Sequence, residues 1–237
     1  MKKKQVKKKK QITFEDVIRT LESPYPDFEI KPGKTALILI DMQKFVLGEH
    51  LVKGAVKAGL DEKTVREVVK DYDTRVKKVV KNVQRLLKVC RKKGFDIIHV
   101  KMQGPTDNPR HTAKVNRKIG LIIPPQFEDS DFIDEVKPIP GELVITKTNG
   151  GALSGTNLDF VLRNMDIESL IIVGFLTDQC VLATSVHAAD LGYDVLLLED
   201  GCTTRYKELH DAVLLAQKDV CAKVKTTDEV IKIIERI

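Results

Sequence analysis

Hydrophobic and polar positions along this chain follow two alternating patterns. Short apolar runs at Thr35 to Ile40, Phe95 to Val100, Leu143 to Thr146, Leu170 to Val173, Asp194 to Leu198 and Ala222 to Lys225 are rich in β-branched residues. Such runs predict strands, most of them buried on both faces as in a parallel sheet. Between them lie segments apolar at helical spacing. The longest, Val65 to Lys93, places Val69, Val76, Val79, Val80, Val83, Leu86, Leu87 and Cys90 on one face and stops at Gly94. Leu158 to Met165 follows a cap at Thr156 or Asn157, and Val181 to Ala189, Tyr206 to Lys218 and Asp228 to Ile237 complete the set. Strand and helix alternate, which predicts an α/β domain with a parallel sheet covered on both faces.

Outside that alternation the pattern weakens. Residues 1 to 11 hold seven lysines in the first ten positions and read as a disordered tail. Residues 12 to 32 form an N-terminal helical arm: Thr13 caps an amphipathic helix over Ile12 to Leu21, and Ser23-Pro24-Tyr25-Pro26 ends it. The main domain then runs from 33 to 237. Met42 to Gly59 reads as an irregular insert, and Lys101 to Pro140 as a long region rich in Pro, Gly and charge. Connections of that length in compact domains usually carry function. Arg110, His111 and Arg117 within it are candidates to meet a substrate carboxylate, although an isolated basic residue is more often a solvated charge.

Charge and cysteine content narrow the setting. The net charge of +6 belongs to the tail, since the remainder is nearly neutral. A lysine tail can touch nucleic acid, but more often it is a solvated end, so no nucleic-acid partner is expected. No apolar run approaches the ~20 residues that span a bilayer, and no signal peptide is recognisable. The four cysteines are scattered without zinc-ligand spacing, which fits free thiols in a reducing, cytoplasmic compartment and no metal or other cofactor.

Candidate chemistry gathers where strands end. Asp41 directly follows the first strand, Lys147 the third, and Cys180 sits just after the fourth, in Gly174-Phe-Leu-Thr-Asp-Gln-Cys180-Val. Right-handed crossovers bring these strand ends to one edge, where open α/β sheets bind ligands. Asp178 is placed to cap the following helix, which would set Cys180 in its first turn, where free N–H groups and the macrodipole favour a thiolate. A small buried Cys packing on the sheet is the plainer alternative for that residue alone.

Taken together, Ala36-Leu-Ile-Leu-Ile-Asp41-Met-Gln43, Lys147 with Ser154-Gly-Thr156-Asn-Leu-Asp159, the Cys180 segment, and Ala188-Ala-Asp-Leu-Gly-Tyr193 resemble the isochorismatase-like cysteine hydrolases, in that family's order. The resemblance implies a three-layer α/β/α sandwich around a six-stranded parallel sheet, and a triad of Asp41, Lys147 and Cys180. It implies an oxyanion hole from the backbone N–H groups of Leu176 and Cys180, with a non-proline cis peptide just before Leu176. Gln43 and Phe45 are assigned to the substrate pocket, Phe45 arriving one place earlier than the family's aromatic, and the family's later aromatic is replaced by Gly150-Gly151-Ala152-Leu153. The Asp-x-His metal cluster of the nicotinamidase branch is missing from Gly104 to His111. The expectation is a metal-independent amidohydrolase for a small linear amide of N-carbamoyl or ureido type, assembled as a dimer or tetramer. A nicotinamidase-type amidase and a non-catalytic binding protein of the same fold are the alternatives.

Overall fold

The computed structural model describes residues 12–237; the lysine-rich tail lies outside them. In chain order the regular elements are α1 (Phe14–Ile18), β1 (Thr35–Ile40), α2 (Gly48–Lys57), α3 (Glu62–Lys93), β2 (Asp96–Met102), α4 (Lys114–Lys118) and β3 (Leu143–Lys147). There follow α5 (Leu158–Asn164), β4 (Ser169–Phe175), α6 (Leu182–Asp190), β5 (Asp194–Thr203), α7 (Lys207–Gln217), β6 (Lys223–Lys225) and α8 (Thr227–Glu235). The six strands make one sheet in the order β3-β2-β1-β4-β5-β6, every pair parallel.

Alternation along β1 builds the two cores. Leu37 and Leu39 face the valine and leucine stripe of α3 and Val230, Ile231 and Ile234 of α8. Ala36, Ile38 and Ile40 face Leu158, Leu162, Ala188 and Leu214 of α5, α6 and α7. The result is the expected three-layer sandwich, with β1 and β4 fully buried at its centre. Asp61 caps α3 by accepting from Thr64 N at 2.9 Å, so the helix begins at Glu62, three residues ahead of the predicted start, and Gly94 ends it at φ 72°.

Four expectations are corrected. The insert Met42 to Gly59 contains a short turn at Lys44–Val46 and the helix α2. Gly48 weakens the helical signal because a Cβ there would lie 2.6 Å from Asp73 Cβ; the glycine permits α2 to touch α3. Gly174 does not end β4. The strand continues through it to Phe175, and the residue is glycine because a Cβ would stand 2.1 Å from Ile40 O of the neighbouring strand. β5 likewise runs past Glu199-Asp200-Gly201 to Thr203, with a register shift in its pairing to β4. The arm is helical only over Phe14–Ile18; Thr13 does accept from Asp16 N at 3.1 Å, but residues 22–31 have no regular structure and are held where Tyr25 Oη meets Asp194 Oδ1 at 3.2 Å.

Lys101 to Pro140 is stitched down rather than loose. Lys44 N donates to Asp131 O at 2.8 Å and Ile133 N to Met42 O at 2.9 Å, so this region lies across the carboxyl end of β1. His99, buried inside β2, pairs through Nε2 with Glu142 Oε2 at 2.9 Å, while its Nδ1 is buried without a hydrogen-bond partner. Among the described residues, no helix is long and apolar enough to cross a membrane.

Candidate active site

The parallel sheet sends Asp41, Lys147 and Cys180 to its carboxyl edge, and all three side chains are buried there. Asp41 turns sharply out of β1 at φ 48°, a left-handed conformation that Asp adopts more readily than most residues. Lys147 ends β3, two strands away, and its long side chain crosses the end of β2. Its Nζ lies 2.7 Å from Asp41 Oδ2, donates to Asn149 O at 2.9 Å and to Cys180 Sγ at 3.3 Å. An ammonium has three N–H donors, and all three are engaged. The second carboxylate oxygen, Asp41 Oδ1, is buried without a hydrogen-bond partner.

Cys180 sits in a π-helical turn, Thr177–Val181, which leads directly into α6. Gln179 N and Val181 N both donate to Leu176 O, at 3.0 and 3.2 Å, and the Phe175–Leu176 peptide is cis. Three side chains fasten the turn. Thr177 Oγ1 meets His210 Nδ1 at 2.8 Å, Thr184 Oγ1 donates to Cys180 O at 2.6 Å, and the Thr204 hydroxyl donates to Asp178 Oδ1. Asp178 is therefore not the predicted helix cap; its carboxylate ties the turn to the end of β5.

The resting proton inventory also differs from expectation. Burial pushes the Cys180 thiol up to about 12, with the Asp41 carboxylate adding to the shift and the Lys147 ammonium opposing it. The expected thiolate thus gives way to a neutral thiol beside an Asp41–Lys147 ion pair, because desolvation outweighs the helix start and the nearby cation. Burial also raises the Asp41 carboxyl despite Lys147. Burial would lower the ammonium of Lys147, but the Asp41 carboxylate and its contact with Cys180 hold it above its ordinary value.

A cavity of about 150 Å³ opens onto Asp41 and Cys180, with Phe45, Val46, Leu51, Leu121, Phe175 and Leu176 among its apolar walls. Phe45, one of the two residues that the resemblance assigned to a pocket, lines this cavity. Gln43 does not: it is fully buried, accepting from Met102 N at 2.7 Å and donating to Met102 O at 3.0 Å and Ser130 O at 2.6 Å. It pins the 101–140 region to β2. Arg110 is exposed in the turn Pro109–His111 and Arg117 lies on α4; neither lines the cavity. Sequence reasoning missed the polar wall instead, formed by His50, Tyr72, Gln179 and Arg205. These come from α2, α3, the Cys180 turn and the segment after β5, so no local motif joins them. Tyr72 Oη donates to Val46 O at 2.8 Å. Arg75 holds the Arg205 backbone, donating to Thr204 O at 2.6 Å and Arg205 O at 3.0 Å. A larger cleft of about 360 Å³ between α3, β5 and α7 includes none of the three clustered residues. Among the described residues, no three His, Cys, Asp or Glu side chains gather as a metal site.

A parallel sheet between helical layers, with a thiol, a carboxylate and an ammonium meeting at its carboxyl edge, is an arrangement suited to hydrolysis through a nucleophile. The family model described as Isochorismatase domain matches residues 35–229, and the chain belongs to the isochorismatase family of hydrolases. Ureidoacrylate amidohydrolase RutB of Agrobacterium fabrum is 28% identical over 198 residues, covering 76% of this chain and 81% of that protein. Among solved structures, a cysteine hydrolase from Pseudomonas syringae pv. phaseolicola superposes with a TM-score of 0.74 at 22% identity, covering 90% of this chain and 98% of that one. N-carbamoylsarcosine amidase from Thermoplasma acidophilum does so with a TM-score of 0.63 at 23% identity, covering 82% and 97%.

Proposed function

We propose that this protein is a metal-independent cysteine amidohydrolase that releases ammonia from a small linear amide of N-carbamoyl or ureido type through a thioester. The observation that carries the reading is Lys147 Nζ joined to both Asp41 Oδ2 and Cys180 Sγ, the two residues of the three that line the cavity. Cys180 Sγ attacks the carbonyl carbon while its proton passes to Asp41, whose Oδ1 is the free acceptor. Lys147 offsets part of the cost of burying the Asp41 carboxylate and stabilises the sulfur as charge grows on it. The backbone N–H groups of Leu176 and Cys180 receive the oxyanion. Protonated Asp41 then gives its proton to the departing nitrogen, ammonia leaves, and the acyl group stays on sulfur. Asp41 next deprotonates a water that cleaves the thioester and restores the thiol.

Two relatives support the substrate class, since the names ureidoacrylate amidohydrolase and N-carbamoylsarcosine amidase both denote cleavage of a carbamoyl nitrogen. Arg205 at the cavity supplies a guanidinium for an acid group on the far side of such a molecule. The lack of an Asp-x-His pair in Gly104 to His111 supports the metal-independent part of the reading. The reading also includes a cytoplasmic setting, supported by four free cysteines, and assembly into two or four copies, supported by family resemblance.

The test is ammonia release from a panel of N-carbamoyl and ureido acids. Cys180→Ala and Asp41→Ala, with unchanged circular dichroism, should each lose at least about a thousandfold in kcat/KM. Turnover retained in Cys180→Ala would sink the thioester route.

A further inference from the structure

Asp41 and Cys180 line the cavity, and its polar wall contains a side chain that the proposed reaction leaves unused. His50, near the start of α2, lines the cavity. Its Nδ1 lies 2.7 Å from Asp129 Oδ2, and its ring packs edge-on against Phe127 at a centroid distance of 5.7 Å. An ionised carboxylate only accepts, so Nδ1 carries the proton, and the tautomer with its proton there places the ring's lone pair on Nε2. Nε2 makes no hydrogen bond among the described residues.

Asp129 is itself held on a fixed backbone. The neighbouring carbonyl of Ser130 accepts from Gln43 Nε2 at 2.6 Å, and that of Asp131 accepts from Lys44 N at 2.8 Å. Gln43, which does not reach the cavity, therefore contributes to it through Asp129 and His50. Supporting contacts of this kind fix which ring nitrogen faces a ligand.

We infer that His50, locked by Asp129, is the specificity-determining acceptor of the cavity and recognises an N–H on the non-reacting nitrogen of the substrate. This deepens the amidohydrolase reading and rests on it for the substrate class. A ureido acid has one nitrogen that leaves and one that stays. The staying N–H is buried against apolar walls when the substrate binds, and a buried donor needs an acceptor. The site accordingly favours N-monosubstituted carbamoyl compounds over their N-methylated counterparts.

The experiment compares N-carbamoylglycine with N-carbamoylsarcosine, which replaces that one hydrogen by methyl. The readout is protection of Cys180 from iodoacetamide, quantified by mass spectrometry, with each variant's rate without compound as its own reference. In the wild type, N-carbamoylglycine should protect at about tenfold lower concentration. His50→Ala should abolish that difference, His50→Gln, which keeps an acceptor oxygen, should restore part of it, and Asp129→Asn should reduce it. An unchanged ratio in His50→Ala overturns the inference, as does a wild type that shows no preference or no protection. Protection requires no turnover. A protein that shows the ratio but releases no ammonia refutes the proposed hydrolysis and leaves His50 as the acceptor, whereas equal hydrolysis and equal protection refute only the acceptor.

Discussion

Asp41 and Lys147 form an ion pair whose side chains are 4% and 0% exposed, and such a pair is asymmetric in its effect. Removing one partner leaves the other charge in a desolvated site, which costs about 3–5 kcal/mol, whereas replacing both can be nearly neutral. Lys147→Met should therefore destabilise the protein by about that much in urea titrations at pH 7, and the double variant Asp41→Asn with Lys147→Met should recover most of the loss. If the double variant is no more stable than Lys147→Met, the two charges do not depend on each other. At this scale the sequence was legible wherever a residue follows a strand directly, as Asp41 and Lys147 do. Proton positions were not legible, because the state of Cys180 depends on how completely water is excluded from it. Nor was the cavity wall: Arg110 and Arg117 looked suitable in composition, but His50, Tyr72 and Arg205 are brought there by three separate elements.

Among elements, the central contact is the approach of β4 to β1, which places the Cys180 turn beside Asp41. Gly174 makes it possible, and its position separates crowding from backbone strain. At φ 124° with Ile40 O 2.1 Å from the site of a Cβ, it has neither the conformation nor the space for a side chain. Gly94 has φ 72° and nothing within 4 Å. Gly94→Ala should cost about 1–2 kcal/mol, the ordinary penalty of a left-handed alanine. Gly174→Ala should exceed about 4 kcal/mol and reduce soluble yield, since the strands cannot separate without breaking the sheet. Comparable melting temperatures for the two variants would show that the close approach is not rigid. The same contact explains why the strand seemed to end at Gly174: glycine signals a turn locally, and only its neighbour reveals that it is a point of strand packing. The helix α2 escaped prediction similarly, through Gly48 against Asp73.

Across the whole molecule, burial leaves three thiols reluctant to ionise. Cys90, Cys180 and Cys202 are each pushed up to about 12, chiefly by desolvation. A thiol in the unfolded chain titrates near 8.5, so between that pH and about 12 the unfolded state releases protons that the folded state keeps. Stability is complete below the lower value and is lost as pH rises through the window, by up to about 1.4 kcal/mol per pH unit for each group. Denaturant midpoints should fall steadily above pH 9, and Cys90→Ala, remote from the cavity, should show a shallower fall than the wild type once its loss at neutral pH is subtracted. A flat profile up to pH 11 would contradict the burial of these groups.

The alternation of apolar runs with amphipathic segments was sufficient to determine the layered parallel sheet, its six strands and most of its helices, and the edge at which reactive side chains collect. Those properties depend on local periodicity and on the fixed handedness of crossovers, both of which operate over a few dozen residues. Tertiary structure alone decided which side chains share the cavity, which proton each holds, and why Gly48 and Gly174 are glycine. Those outcomes depend on distances between segments far apart in the chain and on the removal of water between them, and neither is encoded in any one stretch.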